Sequence, residues 1–311
     1  MRYKRILVTG GSGFIGSAFI RYGLKNFGSC EQIVNLDSLT YAAHPDALKE
    51  VEGNSRYHFV KGDIRDEKLV EQLCSLFHID AIMHFAAETH VDRSIVSPKL
   101  FAEVNVLGTL SLLEVVRKFP HIHFHHVSTD EVYGSLREGS FNEASCYAPS
   151  SAYSASKAAS DHFVKAYGIT YGISYTVSHC SNNYGPYQHT EKLIPRLIEA
   201  LKRQEPLPLY GTGENVRDWL FVEDHVEALW LILEHGVKGR VYDIGGGCEK
   251  TNREVADLLM EMFGIDVPIV YVDDRPGHDF RYAIDSSRIR EELGWAPKYT
   301  LIKGLETYVS R

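Results

Sequence analysis

The chain has 311 residues, 44% of them hydrophobic and 24% charged, so it can bury a large core without disulfides and is not disordered. Its 33 basic and 41 acidic residues give a net charge of −8, which argues against a nucleic-acid-binding protein. No apolar run has the length of a membrane span, and we expect no signal peptide because a strand begins near Ile6. Five scattered cysteines without a C-x-x-C pair predict reduced thiols and a cytoplasmic protein.

Short apolar segments and helical patterns alternate through the first half of the chain. Strands are predicted at residues 6–8, 32–36, 58–61, 81–85 and 123–128. The segments between them include helical patterns at 67–77 and 98–118. Such alternation is typical of βαβ units, so we predict an α/β fold with a Rossmann-type parallel sheet and helices on both faces.

The pattern changes after about Ser178, where proline and glycine punctuate residues 182–213. Further helices are predicted at 223–234 and 252–262, and further strands at 241–244 and 267–272. We therefore expect a smaller C-terminal α/β domain. The predicted division assigns 1–178 to the first domain, with 217–244 returning to it, and 179–216 and 245–311 to the second.

Histidines recur at 121, 123, 125 and 126, at the start of a predicted strand. Alternating histidines on a strand could hold a metal ion from one face. No carboxylate accompanies the run at ligand spacing, so we predict no metal site. The alternative that we favour is an edge strand with partly exposed imidazoles.

A glycine-rich turn at residues 9–16 follows the first strand and opens a helix. Gly10, Gly13 and Gly16 would allow a tight turn, approach of the backbone to a diphosphate and close packing of helix on sheet. The spacing is one residue longer than the usual dinucleotide fingerprint, and alone it is a weak signal. Asp37 ends the second strand 21 residues after Gly16, where a carboxylate binds the adenosine ribose and favours NAD over NADP. The alternative for Asp37 is a turn cap.

Tyr153 and Lys157 lie four residues apart, hence on one face of a predicted helix. A neighbouring ammonium stabilises phenolate, so we expect the pKa of Tyr153 to fall from about 10. Such a tyrosine can remove a proton from a hydroxyl while nicotinamide accepts the hydride. Thr129, which ends a strand upstream, can place a hydroxyl beside it. Together these features resemble the short-chain dehydrogenase/reductase superfamily, in its extended branch.

Two adjacent carboxylates, Asp130 and Glu131, follow Thr129 at the predicted mouth of the parallel sheet, where ligands bind in such folds. The alternative is a pair of solvated loop acids. Repulsion between neighbouring carboxylates raises the pKa of one and keeps it protonated. Spacing alone does not say which of the two is the acid.

Five longer motifs make the resemblance closer. Residues 85–94, 128–134, 181–186, 217–219 and 274–278 resemble the dTDP-glucose 4,6-dehydratase family. Related sugar-nucleotide epimerases share the glycine turn and the Tyr/Lys pair, but they lack the Thr-Asp-Glu triplet. The resemblance implies a nucleotide-sugar substrate for the second domain and NAD for the first.

The resemblance also implies a mechanism. Tyr153 would remove the O4 proton of the glucose as C4 is oxidised, Glu131 would take the C5 proton, and Asp130 would protonate the departing C6 hydroxyl. Return of the hydride to C6 would give a 4-keto-6-deoxy sugar. Family members are homodimers joined by a four-helix bundle, for which 98–118 and 151–167 are the candidate helices; their apolar faces could equally pack on the sheet.

Residues carried over by motif form two groups. The predicted cofactor contacts are Gly10, Gly13, Phe14, Ile15, Gly16, Asp37, Ser38, Leu39, Thr40, Asp63, Ile64, Phe85, Ala86, Ala87, Glu88, Thr89, Tyr153, Lys157 and Asn183. The predicted substrate contacts are Thr89, Thr129, Asn182, Lys192, Leu193, Pro208, Leu209, Tyr210, Arg217, Asn252, Asp274, Arg275, Pro276, Gly277 and His278. Arg217 and Arg275 suit a diphosphate, whose oxygens match a guanidinium fork.

The chain departs from the family pattern at Ser38, at Ala43 and His44, at Val104 and at Phe280. Phe280 lies toward the nucleotide, and this departure leaves open whether the base is thymine or uracil. Other interpretations are a C4 epimerase, a 5,6-dehydratase that skips the hydride return, and a non-catalytic NAD-sensing Rossmann protein. An intact set of Thr129, Tyr153 and Lys157 argues against the last of these.

Overall fold

Seven parallel strands form the central sheet of the computed structural model, which describes residues 2–310. The strands of all sheets in the described residues, in chain order, are β1 (Arg5–Thr9), β2 (Gln32–Asp37), β3 (Tyr57–Lys61), β4 (Ala81–His84), β5 (His123–Thr129), β6 (Ser174–Cys180), β7 (Asn182–Tyr184), β8 (Leu207–Tyr210), β9 (Val216–Phe221), β10 (Val241–Ile244), β11 (Glu249–Thr251) and β12 (Ile269–Val272). The central sheet has the order β10-β6-β5-β4-β1-β2-β3. The order reverses between β1 and β4, which opens a crevice at the carboxyl ends of those strands.

Helices flank both faces of the central sheet and also build the C-terminal part of the chain. They are α1 (Phe14–Asn26), α2 (Glu67–Leu76), α3 (Val91–Val96), α4 (Pro98–Phe101), α5 (Gly108–Lys118), α6 (Ala152–Tyr171), α7 (Leu193–Lys202), α8 (Val222–His235), α9 (Asn252–Phe263), α10 (Ser287–Leu293) and α11 (Leu301–Val309). Alternate residues of β1 face opposite layers: Ile6 and Val8 join the core under α1 and α8, whereas Leu7 joins the core under α2 and α5. The predicted Rossmann-type sheet with helices on both faces is confirmed.

Trp230 of α8 ties the two helices of one face together. Its indole stacks on Phe19 of α1 with ring centroids 4.4 Å apart, and its Nε1 donates to the Phe19 carbonyl oxygen at 3.1 Å. A Cβ at Gly23 would lie 2.1 Å from the indole, so the close approach of α8 to α1 requires glycine there. This packing holds α1, and with it the glycine turn, against the sheet.

A second core lies in the C-terminal part of the chain. There a three-stranded sheet (β11-β9-β7) and a two-stranded one (β12-β8) pack with α7, α9 and α11 around Leu197, Leu259 and Leu305. The division into 1–178 with 217–244, and 179–216 with 245–311, stays a proposal. Pairing of β10 with β6 supports the return of the chain to the first domain, whereas β9 pairs with β7 and β11 of the smaller sheet.

The predicted helix at 98–118 is a continuous helical rod interrupted by a π-helical segment, Ala102–Leu107, between α4 and α5. A π segment widens the helix by one residue per turn. Asn105 is the buried residue of this segment, and its amide is used at the cavity described below.

Three histidines of the run lie in the interior of the sheet, whereas His121, which precedes the strand, is exposed. Strand β5 pairs with β4 on one side and with β6 on the other, and His123, His125 and His126 are all buried. Thr176 of β6 lies within hydrogen-bond distance of both His123 (3.0 Å) and His125 (2.8 Å). The prediction of an edge strand was wrong, and so was the partial exposure predicted for these three rings; hydroxyls on the next strand satisfy His123 and His125 without water. Among residues 2–310, no group of three or more His, Cys, Asp and Glu side chains is arranged to hold a metal ion.

No helix within 2–310 is both long and apolar enough to cross a bilayer.

Candidate active site

A cavity of about 380 Å³ opens at the carboxyl ends of the parallel strands, between the residues that follow β1 and β4. All five residues predicted to be catalytic line it, as do all predicted cofactor contacts except Leu39. Leu39 is 45% exposed and donates its backbone N–H to Asp37 Oδ1 at 2.7 Å. The predicted substrate contacts that line the cavity are Thr89, Thr129, Asn182 and Lys192, and those outside its lining are Leu193, Pro208, Leu209, Tyr210, Arg217, Asn252, Asp274, Arg275, Pro276, Gly277 and His278.

The glycine turn brings bare backbone to the cavity wall. Gly10 has a φ of +71°, and a Cβ there would lie 2.6 Å from the backbone nitrogen of Ala86. A Cβ at Gly16 would lie 2.4 Å from the carbonyl oxygen of Gly10. Gly13 precedes α1, and no side chain of the described residues caps the first N–H groups of that helix. Uncapped N–H groups and a positive dipole end suit a dinucleotide diphosphate, so these residues fit NAD.

Asp37 closes the second strand at the cavity wall. Its carboxylate accepts backbone N–H groups from Ser12 at 2.9 Å and from Leu39 at 2.7 Å. It therefore caps the turn, as the alternative interpretation has it, and also lines the cavity. Burial raises the pKa of Asp37, and the two backbone donors oppose that shift. A carboxylate held in this way fits a ribose diol.

Asn105, which the motif analysis missed, holds the cavity wall after β4. Its Oδ1 accepts the Glu88 N–H at 2.8 Å, and its Nδ2 donates to the Glu88 carbonyl oxygen at 3.0 Å and to Ser156 Oγ at 2.8 Å. Tyr41 donates its hydroxyl to Glu88 Oε2 at 2.9 Å from the loop after β2. A single asparagine in a helical pattern carries no signal for this role, because the π-helical segment turns it inward.

Tyr153 and Lys157 lie one turn apart on α6, and both are buried. The Lys157 ammonium donates to the Val127 carbonyl oxygen at 2.9 Å. Burial raises the pKa of Tyr153 well above its usual range, the charge of Glu131 raises it further, and the Thr129 hydroxyl opposes both. The predicted lowering of this pKa by Lys157 was wrong for the protein alone, because burial outweighs an ammonium that is already bonded to the backbone.

Asp130 lies in the short 3₁₀ turn Asp130–Tyr133 that directly follows β5. Burial raises the pKa of Asp130 well above its usual range, and the charges of Glu131 and Asp218 raise it further. Thr129 Oγ1 donates to Asp130 Oδ1 at 3.4 Å, and Oδ2 has no hydrogen-bond partner among the described residues. A carboxyl group with a raised pKa holds its proton more tightly than an exposed one and suits a general acid.

Glu131 is the more readily ionised member of the pair. Burial raises its pKa too, but Arg275, Lys192 and Arg217 all act to lower it. Cations from three separate segments therefore surround one carboxylate, while its neighbour Asp130 faces mainly acids. Two carboxyl groups whose surroundings move their pKa values apart form the arrangement expected of an acid and a base.

The three cations differ in how many of their hydrogen-bond donors already have a partner within the protein. Lys192 Nζ donates to the Thr89 carbonyl oxygen at 2.9 Å. Arg275 Nη1 lies 3.3 Å from Asp92 Oδ1, and Arg275 Nε is buried without a partner among the described residues. An unpartnered guanidinium N–H is a donor that an anionic ligand can accept.

Arg217, by contrast, is held by the backbone. Its Nη2 donates to the Asp279 carbonyl oxygen at 2.9 Å, and its Nη1 donates to the carbonyl oxygens of Val216 at 2.7 Å and Phe280 at 3.2 Å. It also lies 4.4 Å from the centre of the Tyr282 ring. Its charge is thus fixed in place behind Glu131.

The remaining predicted substrate contacts lie at the first residue of α7 (Leu193), at the first residue of α9 (Asn252), on β8 and in the 274–278 loop. Leu209 is 1% exposed and packs in the C-terminal core, so its side chain does not face the cavity. Tyr210, next along β8, donates its hydroxyl to Asp92 Oδ2 at 2.9 Å. His278 Nδ1 lies 2.6 Å from Asp274 Oδ1. Because strand residues alternate in direction, Leu209 cannot share the face that Pro208 and Tyr210 present.

Comparison with known proteins places this geometry in a family. A family model described as GDP-mannose 4,6 dehydratase matches residues 7–308. A dTDP-glucose 4,6-dehydratase of Haemophilus influenzae is 49% identical over 98% of this chain and 96% of its own. The chain belongs to the dTDP-glucose 4,6-dehydratase family. The resemblance stated from the motifs is thereby confirmed.

Solved structures of this dehydratase family and of a related one share the fold. DesIV, the dTDP-glucose 4,6-dehydratase of Streptomyces venezuelae, was crystallised with NAD bound; it matches with a TM-score of 0.95 at 46% identity, over 98% of this chain and 96% of its own. A UDP-glucose 4-epimerase of Thermotoga maritima matches with a TM-score of 0.91 at 31% identity, over 98% of this chain and 97% of its own. Dehydratase and epimerase thus share one backbone fold, so the fold alone does not distinguish the two reactions.

Proposed function

We propose that this chain catalyses the NAD-dependent dehydration of dTDP-glucose to its 4-keto-6-deoxy sugar, as a hydro-lyase. C4 is oxidised, water is lost across C5 and C6, and the hydride returns to C6. The observation that carries the proposal is the pair of buried Asp130 and half-buried Glu131, which lines the cavity together with Tyr153. The surroundings of the two carboxyl groups move their pKa values apart. The names of the relatives support the same reaction.

The cofactor in this proposal is NAD. Gly10, Gly13 and Gly16 would hold its diphosphate at the start of α1, and Asp37 would bind the adenosine ribose. NAD⁺, when bound, supplies the hydride acceptor for C4 and the hydride donor for C6. The other residues of this group are those predicted cofactor contacts that line the cavity.

Three residues carry out the oxidation half of the reaction: Tyr153, Thr129 and Lys157. Tyr153 removes the O4 proton, and the Thr129 hydroxyl, which stabilises the phenolate, shares that site. Lys157 supplies the positive charge on the same helix face. Burial raises the pKa of Tyr153 and so disfavours the phenolate, whereas added positive charge in the site would favour it.

The dehydration half belongs to the two carboxyl groups. Oxidation to the 4-ketone acidifies the C5 proton, and Glu131 takes it as base. Asp130, which retains its proton, donates it to the C6 hydroxyl as water leaves. Glu131 then returns a proton to C5 when C6 is reduced, so the sugar loses one water without net oxidation.

The nucleotide end of the substrate is assigned to the smaller domain. Arg275, with an unpartnered Nε, would bind the diphosphate directly, and Arg217 would contribute its fixed charge. Thymine is proposed because the relatives are named for dTDP-glucose.

Product analysis with glucose deuterated at C4, supplied separately as the dTDP and UDP sugars, tests the proposal. We expect deuterium at C6 of a 4-keto-6-deoxy product, formed faster from the dTDP sugar. Faster turnover of the UDP sugar would mean that the enzyme recognises uracil rather than thymine. Deuterium retained at C4 of an epimerised sugar, a 5,6-unsaturated product, or no turnover with either donor would each contradict the proposed reaction.

The assembly and location form a further part of the proposal. We propose a homodimer in which α5 and α6 form the interface. Leu107, Phe163 and Tyr171, on neighbouring helical segments, are 53%, 38% and 50% exposed, which is unusual for side chains of this size and fits a partner's helices. We also propose a cytoplasmic location, which the five free cysteines support. Light scattering in solution should give twice the mass of one chain.

A further inference from the structure

A cluster of buried ionisable side chains lies behind Lys157, and the proposed reaction does not use it. Its members are His126, Asp161, His179 and Asp243, whose side chains are 0% exposed. They come from β5, α6, β6 and β10, and the cavity is lined by other residues. Burying so many ionisable groups costs free energy unless they are paired, so a functional role for the cluster is expected.

Asp161 extends the catalytic face of α6. Tyr153, Lys157 and Asp161 are spaced four residues apart, so they lie one above the other on a single helix face, and all three are buried. Asp161 therefore lies on the same helix face as Tyr153 and Lys157, one turn beyond Lys157.

His126 lies between the ammonium and the carboxylate. Lys157 Nζ is 3.3 Å from His126 Nε2, and the same nitrogen is 3.2 Å from Asp161 Oδ1. Burial, followed by the charge of Lys157, lowers the pKa of His126 to about 4. The ring is therefore neutral near neutral pH, and it does not cancel the charge of Asp161.

The far side of the cluster keeps Asp161 ionised. His179 donates from Nε2 to Asp161 Oδ2 at 3.0 Å and from Nδ1 to Asp243 Oδ1 at 2.8 Å. Burial lowers the pKa of His179, but the two carboxylates together raise it to about 9, so the ring is a cation. Ser128 and Tyr147 each donate a hydroxyl to Asp161 Oδ2 at 3.0 Å. Contacts with His126 and His179 hold the pKa of Asp161 far below its usual range in spite of burial.

Two influences act on the pKa of Lys157 in opposite directions. Burial lowers its pKa to about 8, and Asp161 is the first of the groups that raise it. The thiol of Cys180 also faces Lys157, but burial raises the pKa of that thiol and keeps it neutral. The ionisable groups around the ammonium are His84 from β4, His126 from β5, Cys180 from β6, and Tyr153 and Asp161 from α6.

We infer that Asp161 is a positioning residue that keeps Lys157 protonated and in place, acting across the neutral ring of His126. The inference rests on the proposed function, in which Lys157 must be a cation. It also accounts for the histidine run: His126 spans the gap between β5 and α6, and its neutrality leaves the charge of Asp161 effective at Lys157.

The pH profile of turnover tests this inference. Loss of the Asp161 charge in Asp161→Asn lowers the pKa of Lys157, so the ammonium is lost at lower pH. We expect the alkaline limb of the profile to move down by about one pH unit or more, with activity recovering toward the acid side. A purely structural role would reduce activity by the same factor at every pH.

Asp243→Asn is the matched control. Asp243 bonds the other nitrogen of the same imidazole, so its loss disturbs the cluster equally but should not move the alkaline limb downward. Asp161→Ser is a second charge-free variant if the asparagine does not fold, and Asp161→Glu should restore the limb. An unmoved limb in both charge-free variants, or the same downward shift in Asp243→Asn, overturns the inference. An inactive wild-type enzyme would instead contradict the proposed function.

Discussion

The cofactor side and the substrate side of the cavity are built in different ways. On the cofactor side, contiguous segments after β1, β2 and β4 present backbone groups, and Gly10 and Gly16 have no space for a side chain. On the substrate side, charged side chains converge from distant segments and bond to the protein itself, as Arg217 does to three carbonyl oxygens. A backbone site is formed once the sheet is formed, whereas a side-chain site must exchange its own contacts for those of the ligand.

The largest effect is expected at Tyr153, where the two sides meet. Tyr153→Phe removes the proton acceptor for C4 oxidation, so turnover should fall by about 10²–10⁴-fold. NADH absorbance should not appear when substrate is added, while bound NAD and thermal stability stay near wild type. The matched control is Tyr271→Phe, whose side chain is 44% exposed. Full turnover of Tyr153→Phe would contradict the assignment.

Glu131→Gln should separate the two halves of the reaction. Oxidation of C4 does not need Glu131, so NADH should accumulate on mixing, but water loss should be slowed by about 10²-fold or more. Stopped-flow absorbance with product analysis measures both steps. The control is Glu138→Gln, an exposed glutamate in the loop after the 3₁₀ turn. Normal product release by Glu131→Gln would show that another group is the base.

Gly10→Ala should damage the cofactor side alone. A φ of +71° and a contact of 2.6 Å with the backbone of Ala86 make any Cβ strained at this position. Strain of about 1–3 kcal/mol should reduce NAD binding about tenfold or more and lower the melting temperature. Gly28→Ala is the control, because no atom lies within 4 Å of the position of its Cβ and the residue is outside the cavity lining. Equal losses in both variants would argue against a backbone-defined site.

Arg275→Gln should damage the substrate side alone, by an amount similar to that of Gly10→Ala on the cofactor side. Loss of one charged donor to a diphosphate costs about 1.5–3 kcal/mol, so KM for the nucleotide sugar should rise about tenfold or more. Bound NAD should be unchanged, since Arg275 lies outside the lining of the cofactor residues. The exposed Arg290 on α10 provides the matched control, Arg290→Gln. A loss of NAD with an unchanged KM would reverse the contrast between the two sides.

The same contrast explains which of the predicted site residues line the cavity. The glycine turn, Asp37 and the Tyr/Lys pair are local patterns with a fixed relation to one strand or helix, and all of them line one cavity. Leu209 was selected by its position in a motif, but the alternation of β8 points its side chain into a core. Asn105 was missed because a π-helical segment, rather than a motif, turns its amide toward Glu88.

Electrostatic predictions depended most on the tertiary structure. The expected fall in the pKa of Tyr153 assumed that Lys157 was the main influence, but burial and Glu131 raise the pKa instead. Histidine spacing predicted an exposed edge, whereas hydroxyls on β6 satisfy the rings in the interior. Burial and distant charges are properties of the folded chain, and no local spacing reports them.

The sequence by itself determined the parallel sheet, the glycine turn after β1 and the family, because apolar periodicity and short motifs act through neighbouring residues. Only the tertiary structure decided that Asp130 faces acids while Glu131 faces three cations, and that Asp161 stands behind Lys157 across His126. These relations join residues far apart in the chain. They exist only once burial removes water, which would otherwise screen each charge from the next.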